Sequence, residues 1–286
     1  MSKTIKIGLV GCGDIARRVH LGILRRLPGA ELAAIAEPDS CRRDEARSRA
    51  PAALTFEDYR ELLAAPGIDA VVICVPNDLH VEVAVAAIRA GKHVYLEKPL
   101  ATELEDGRRI LDAWRAAGVV GMIGFNYRFN PLHQSARRQL RRNPIGPLVA
   151  ARSIFSIAAQ PLPPWKQSRQ SGGGVLLDLA SHHIDLVHFY FDRAVREVFA
   201  TQQSQRHTND AAMLEMRLDN GLLVQSFFSL GSVDEDRFEI YGQAGTLKVD
   251  RYRSWNAEID AGPQRASRLR LTATWLTALA ANPYPL

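Results

Sequence analysis

The sequence predicts an α/β chain in which a doubly wound parallel sheet is followed by an α+β domain with an open, largely antiparallel sheet. Up to about residue 122, short and almost wholly apolar strand patterns alternate with helix patterns, as in a parallel sheet covered on both faces. Beyond Asn126 that rhythm gives way to consecutive strand patterns, two of the joins reading `DNG` and `GQAG`, which are hairpin turns. A length of 286 residues exceeds one typical core and suits two domains, drawn here as residues 1–122 and 123–286.

The elements follow in order. `TIKIGLVG` reads as a strand, Asp14 to Leu27 as a helix, and `ELAAIAE` as the next strand. A helix from Ser40 to Arg49, a short `ALTF`, a helix near Asp58 to Ala65 and the strand `DAVVICVP` come next. Leu79 to Ala90 is helical, `HVYLEKP` extended, and Glu103 to Ala117 helical up to Gly118, a residue suited to a helix C-cap. `VVGMIGF` supplies one more strand. In the second part a helix from Pro131 to Arg142 leads to `LVAARSIFSIA`. The Pro- and Ser-rich loop `QPLPPWKQSRQSGGG` is long enough to cover a cleft between domains. After another helix come `VREVFATQQ`, `AAMLEMRL`, `LLVQSFFSL`, `RFEIYG` and `TLKVD`.

Composition excludes several classes. With 47% hydrophobic and 23% charged residues the chain has the balance of a soluble globular protein. No apolar run approaches the roughly 20 residues of a membrane span, and `MSKTIKIGLVG` enters a strand rather than a signal-peptide core, so a cytoplasmic location and no membrane partner are expected. Cys12, Cys41 and Cys74 are odd in number and lack CxxC spacing, which suggests neither disulfides nor a zinc site. The net charge of +5 resides largely in arginine clusters on helix patterns, without the aromatic-rich basic strip of a nucleic-acid binder. No nucleic-acid partner is expected, and the charge suits small anionic ligands.

Chemistry begins in `GLVGCGDIARRVH`, where Gly11, Gly13 and Ala16 fill the three positions of GxGxxG/A. The first glycine permits a tight turn, the second lets backbone approach a pyrophosphate, and the third small residue allows the helix to pack on the strand. The helix start, with Asp14 and Ile15, then presents unpaired N–H groups to the phosphates. The second strand ends in Glu37, at the separation expected of the acid that bonds an adenosine ribose. Dinucleotide binding follows. A carboxylate there accepts both ribose hydroxyls and repels a 2′-phosphate, favouring NAD, while Arg42 and Arg43 keep NADP open.

Ligands of an open parallel sheet collect at the carboxyl ends of its strands. Two ends here are polar: `VVICVPNDLH`, with Val75, Pro76, Asn77 and His80, and `HVYLEKP`, with Glu97 and Lys98. The proline restricts the residue before it and so fixes the direction of Lys98. Far away, in `GGGVLLDLASHHIDLVHFYF`, Asp178, His182 and Asp185 fall at i, i+4 and i+7 of an otherwise apolar helix. Such a stripe is costly to bury unless something polar faces it. A substrate would serve; so would pairing of His182 with Asp178 inside the helix. His183 and His188 read as structural or surface residues. Metal binding is allowed by these ligand types, but the spacing does not require it, and no metal is expected.

Taken together, `GLVGCGDIA`, `AEPD`, `CVPNDLH`, `AGKHVYLEKPLA`, `GFNYRFNP` and `GGGVLLDLASHHIDL` resemble the Gfo/Idh/MocA family, which contains glucose-fructose oxidoreductase and inositol dehydrogenases. The resemblance covers most of the chain in order. It implies an N-terminal Rossmann domain binding NAD or NADP and a C-terminal α/β domain whose open sheet serves homo-oligomer formation. It makes Lys98 the lysine of the EKP tripeptide, Asp178 the substrate-site aspartate and His182 the general base. It sets Pro76, Asn77, His80 and Glu97 around the nicotinamide riboside, and Asn126, Tyr127 and Arg128 at the crossing between domains beside the ring. Trp165, with Lys166, is expected to cover the substrate.

The implied reaction is hydride transfer between the nicotinamide and a secondary alcohol of a sugar, cyclitol or related polyol. Lys98 would stabilise developing alkoxide, His182 would take the proton, and Asp178 would orient His182 or bind a neighbouring hydroxyl. Competing readings are an NAD-dependent glycosidase or epimerase working by transient oxidation, and a non-catalytic dinucleotide sensor, which would have no use for a proton relay. Two departures from the family pattern are visible: Ala180 where DxGxH is common, and an ending at `TWLTALAANPYPL` where members continue through further helix and strand. The second domain is therefore expected to be trimmed or the sequence incomplete.

Overall fold

The computed structural model describes residues 3–169 and 172–261. The expectation for the chain's closing segment, and the end of the domain drawn to residue 286, lie outside them.

The first sheet has six parallel strands in the order β3-β2-β1-β4-β5-β6. Its strands are β1 (Ile5–Val10), β2 (Ala30–Ala36), β3 (Leu54–Phe56), β4 (Ala70–Ile73), β5 (His93–Leu96) and β6 (Gly121–Ile123). The order reverses between β1 and β4, so a crevice opens beyond their carboxyl ends, where the Gly-rich turn and the two polar strand tips meet. Val10, Ile73 and Leu96 are buried at the ends of β1, β4 and β5, which fixes those tips against a core on either face. The helix expected from Asp14 to Leu27 is shorter: a π-helical turn, Ala16–His20, runs into a single α-helical turn, α1 (Leu21–Leu24). Helices α2 (Ser40–Arg49), α3 (Tyr59–Ala64), α4 (His80–Arg89) and α5 (Leu104–Ala117) complete the layers, and α5 ends on Gly118 at φ 66°, as its sequence predicts.

The second sheet has seven strands, in the order β13-β12-β11-β7-β10-β9-β8. They are β7 (Leu148–Ser156), β8 (Val195–Gln203), β9 (Ala211–Leu218), β10 (Leu223–Ser229), β11 (Glu235–Gly242), β12 (Gly245–Asp250) and β13 (Glu258–Asp260). All neighbours are antiparallel except β7 with β10, which a sequence of consecutive strands could not reveal. Along β9 every second residue is buried, Ala212, Leu214, Met216 and Leu218, while Met213, Glu215 and Arg217 face out. Two helices, α6 (Pro131–Arg141) and α7 (Ser181–Phe191), pack on the inner face, with Leu186, Val187, Phe228 and Phe238 wholly buried between them and the sheet. A second π-helical turn, Leu176–Ala180, leads into α7. Among the described residues no layer covers the outer face, and β8 is largely exposed along its length.

Candidate active site

The Gly-rich turn lies where β1 meets the crevice. Gly11 has φ +87°, and a Cβ there would stand 2.6 Å from the Cys74 carbonyl oxygen of β4's end, so only glycine allows the two tips to meet. A Cβ on Gly13 would meet nothing within 4 Å, leaving the open approach a pyrophosphate requires. Ala16 is fully buried against the sheet. These residues fit a dinucleotide. Asp14 and Ile15 are exposed at the helix start, Asp14 accepting from Arg18 at 2.9 Å.

Glu37 sits at the end of β2, but it is only 3% exposed and its oxygens are taken. One accepts the Cys12 N–H at 2.6 Å, and the other accepts from the Asp39 N–H and from Arg42, the latter at 2.9 Å. Arg43 donates to the Glu37 carbonyl at 2.6 Å. The acid thus braces the Gly-rich turn, with Arg42 closed over it. A ribose diol would have to displace Arg42 to reach this carboxylate.

His80, expected around the nicotinamide riboside, sits between two backbone carbonyls at the tips of β4 and β5. It is fully buried, Nδ1 lies 2.7 Å from the Pro99 carbonyl oxygen and Nε2 3.2 Å from that of Val75. Burial lowers its pKa, so the neutral ring spends its one proton inside the junction and acts as a strut between the β4 and β5 tips. Asn77 is buried and donates to the Gly172 carbonyl at 2.8 Å, reaching the second domain. Glu97 pairs with His20 at 2.7 Å, a partner on the first helix that no motif singled out.

Lys98 follows Glu97, joined to Pro99 by a cis peptide. Its ammonium donates to the Asp178 carbonyl at 2.7 Å and to an Asp178 carboxylate oxygen at 3.1 Å. Lys166, from the Pro-rich loop, donates to both oxygens of the same carboxylate at 3.0 and 2.9 Å. Burial would raise the Asp178 pKa, but the two ammoniums outweigh it and hold the carboxylate well below its usual range. Charge-assisted bonds to two cations outcompete one to a neutral imidazole, and among the described residues no hydrogen bond joins Asp178 to His182. The expected orientation of His182 by Asp178 is therefore not what the geometry contains.

His182 is held by stacking instead. Its ring lies on Tyr127, centroids 4.5 Å apart and planes 22° apart, and among the described residues its buried Nδ1 has no hydrogen-bond partner. Burial first, then the Lys98 charge and His183, push its pKa well below the usual histidine value, so the ring is a neutral acceptor. Tyr127, expected at the crossing between domains beside the ring, is buried and donates its hydroxyl to Asp236 at 2.6 Å. The third member of the expected stripe, Asp185, faces Arg128, which grips it with two nitrogens, Nε at 2.7 Å.

The loop carrying Lys166 crosses the crevice. Arg169 donates to the Thr102 carbonyl at 2.8 Å and pairs with Glu103 at 3.0 Å, while Lys166 Nζ lies 5.4 Å from the centre of the half-buried Trp165 ring. A Cβ on Gly173 would stand 2.1 Å from the Lys166 carbonyl oxygen, so the glycine run lets the loop fold back this closely. Asn126 is exposed at the domain crossing.

Comparison with known proteins decides the family. Residues 5–125 match the oxidoreductase family with an NAD-binding Rossmann fold, and residues 133–248 match the GFO/IDH/MocA C-terminal domain. The chain belongs to the Gfo/Idh/MocA family. It is 32% identical over 247 residues to the 1,5-anhydro-D-fructose reductase of Ensifer adhaerens, covering 84% of this chain and 74% of that one. The myo-inositol 2-dehydrogenase of Thermotoga maritima is 28% identical over 252 residues, 86% of this chain and 72% of the relative. Among solved structures, levoglucosan dehydrogenase in complex with NADH and L-sorbose superposes with a TM-score of 0.83 at 26% identity, covering 93% of this chain and 78% of that one. A 3-ketoreductase from Actinomadura kijaniata, in complex with TDP-benzene and NADP, gives 0.80 at 25% identity, with 99% and 92% covered. This Gfo/Idh/MocA chain is thus an NAD-binding oxidoreductase, and among its described residues no helix is long and apolar enough to cross a membrane.

Proposed function

We propose that this oxidoreductase transfers hydride between its nicotinamide cofactor and a secondary alcohol of a sugar, cyclitol or related polyol. The observation that carries the reading is the convergence of Lys98 and Asp178 from two domains, one helical turn before the neutral, stacked His182. The relatives named for anhydrofructose, inositol and levoglucosan support the substrate class.

The chemistry follows from the protonation states. The bound nicotinamide supplies the hydride acceptor or donor; Gly11, Gly13 and the start of the following helix would hold its pyrophosphate. The chain's own task is the proton. A secondary alcohol is a far weaker acid than water at neutral pH allows to ionise unaided, so its oxygen must be stabilised as charge develops. Lys98, an ammonium anchored on Asp178, provides that positive charge, and His182, neutral because it is buried beside Lys98, accepts the hydroxyl proton. Asp178 keeps Lys98 and Lys166 aimed into the crevice and offers a carboxylate to a neighbouring hydroxyl. The loop of Trp165 and Lys166 covers the site and limits water.

The outer face of the second sheet, with Phe199 71% and Met213 54% exposed, is proposed as the surface through which copies of the chain associate. Assay of polyols, aldoses and amino sugars with NAD and NADP, followed by absorbance of the reduced cofactor, tests the function. Net reduced cofactor formed from a polyol is expected; tightly held cofactor turning over a glycoside or epimer with no net reduction would replace the dehydrogenase by transient-oxidation chemistry.

A further inference from the structure

A base histidine is ordinarily aimed by a hydrogen bond from a third group to its far nitrogen. Among the described residues His182 has no such partner: Nδ1 is buried and meets no hydrogen-bonding group there, and the nearby carboxylate of Asp178 is occupied by Lys98 and Lys166. What fixes the imidazole must then be packing. Its flat contact is Tyr127, which also stacks on the His133 ring, centroids 5.1 Å apart at 18°, so the phenol is a shelf shared by two imidazoles.

The shelf is itself pinned. Asp236, on β11, is 1% exposed and far from the crevice in sequence. It accepts the Tyr127 hydroxyl at 2.6 Å, Arg251 Nε at 2.5 Å and His183 Nε2 at 3.1 Å. Burial would raise the Asp236 pKa, but these donors outweigh it, so a buried negative charge is retained where an apolar residue would have cost less. Arg251 also lies over the Tyr127 ring at 5.2 Å. A phenol tied at its hydroxyl cannot slide along its own plane, and an imidazole resting on it cannot tilt without losing contact.

We infer that Tyr127 and Asp236 are positioning residues for the reaction: Asp236 fixes the Tyr127 ring, and that ring sets the plane of the His182 imidazole toward the substrate oxygen. The inference rests on the reading of His182 as the base, and its test separates the two. The ionisable groups that face His182 and its shelf are Lys98, Asp178, His133, His183, Asp236 and Arg251, and all are kept in the variants except the one replaced.

The experiment compares His182→Ala, Tyr127→Phe, Tyr127→Leu and Asp236→Asn in the full chain, each checked for folding by thermal melting and for NADH binding by fluorescence. Steady-state kinetics over pH 5–9 and imidazole nitrogen shifts of His182 by NMR are recorded. Tyr127→Phe keeps the ring but frees it; kcat should fall about tenfold, with the KM of the cofactor unchanged, and about a hundredfold in Tyr127→Leu, the scale of a misplacement near 1 Å. Asp236→Asn should match Tyr127→Phe, and both should shift the His182 nitrogen signals and the acid limb of kcat/KM. If Tyr127→Leu does not fold, the two conservative variants carry the test. If His182→Ala retains wild-type kcat, the reading of the base fails. If His182→Ala loses activity while Tyr127→Phe and Asp236→Asn keep wild-type kcat, pH profile and His182 shifts, the positioning inference alone is overturned.

Discussion

Lys98 of the first domain donates to both the backbone carbonyl and the carboxylate of Asp178 in the second, at 2.7 and 3.1 Å. Two segments remote along the chain thus meet through one ammonium, which is anchored but only partly neutralised. In the proposed reaction, replacing it with a residue of similar length and no charge, Lys98→Met, would remove the stabilisation of the developing alkoxide. We expect kcat to fall about 10²- to 10⁴-fold with NADH affinity nearly intact, checked by steady-state rates and fluorescence titration.

The same variant bears on His182. Lys98 is one of the causes that lower the His182 pKa, after burial. Removing its charge should raise that pKa, so the acid limb of the residual kcat/KM moves to higher pH. A limb at the wild-type position in Lys98→Met would show that the two groups do not sense one another.

Lys166 is the second ammonium on Asp178. Lys166→Met leaves the carboxylate with Lys98 alone and releases one tie of the loop. The expected outcome is a several-fold rise in the KM of the polyol with cofactor affinity unchanged, and Lys166→Arg should restore much of the loss. Initial-rate measurements over substrate concentration check it.

The ribose corner can be tested separately. Arg42 lies on Glu37, which also accepts the Cys12 N–H. NAD is expected to give the higher kcat/KM, and Arg42→Ala, which uncovers the carboxylate and removes a partner for a 2′-phosphate, should weaken NADPH binding more than NADH binding. Dissociation constants for both reduced cofactors measure this directly.

Stability should fall on the acid side. His133 is 1% exposed, and burial pushes its pKa down to about 4, well below that of an unfolded histidine. Below about pH 6.5 the unfolded chain takes up a proton that the folded chain refuses, so stability drops as pH falls from there toward 4. The loss from this residue is at most about 3 kcal/mol. His80 and His182, also lowered by burial, add in the same direction. Melting temperatures between pH 7.5 and 4.5 should decline, and His133→Phe should flatten the slope.

Much of this arrangement was legible in the residues. The alternation of apolar strands with helices specifies the first sheet because a strand buried on both faces has no polar positions, and Gly11 is demanded by the approach of the Cys74 carbonyl. Lys98 stands out in the sequence because a charge at the tip of a buried strand needs a reason. The pairing of β7 with β10, by contrast, is parallel and joins strands with others between them, a relationship no local pattern encodes. At Glu37, His80 and Arg128 the sequence shows a polar group without its partners. The structure supplies Cys12 and Arg42, two backbone carbonyls, and Asp185. Asp236 and His20 carry no local signal for the same reason: each matters through a contact distant in sequence, with Tyr127 and with Glu97.

The central claim is that the chain's own ammonium and imidazole handle the proton of a polyol hydroxyl. A single-turnover experiment with enzyme, NAD and a polyol substrate found by the assay panel, followed at the absorbance of NADH, tests it most directly. Wild type should form NADH in one fast phase, while Lys98→Met and His182→Ala, each shown to bind NADH, should form it slower by at least about a hundredfold. Formation of NADH at the wild-type rate in either variant would contradict the account.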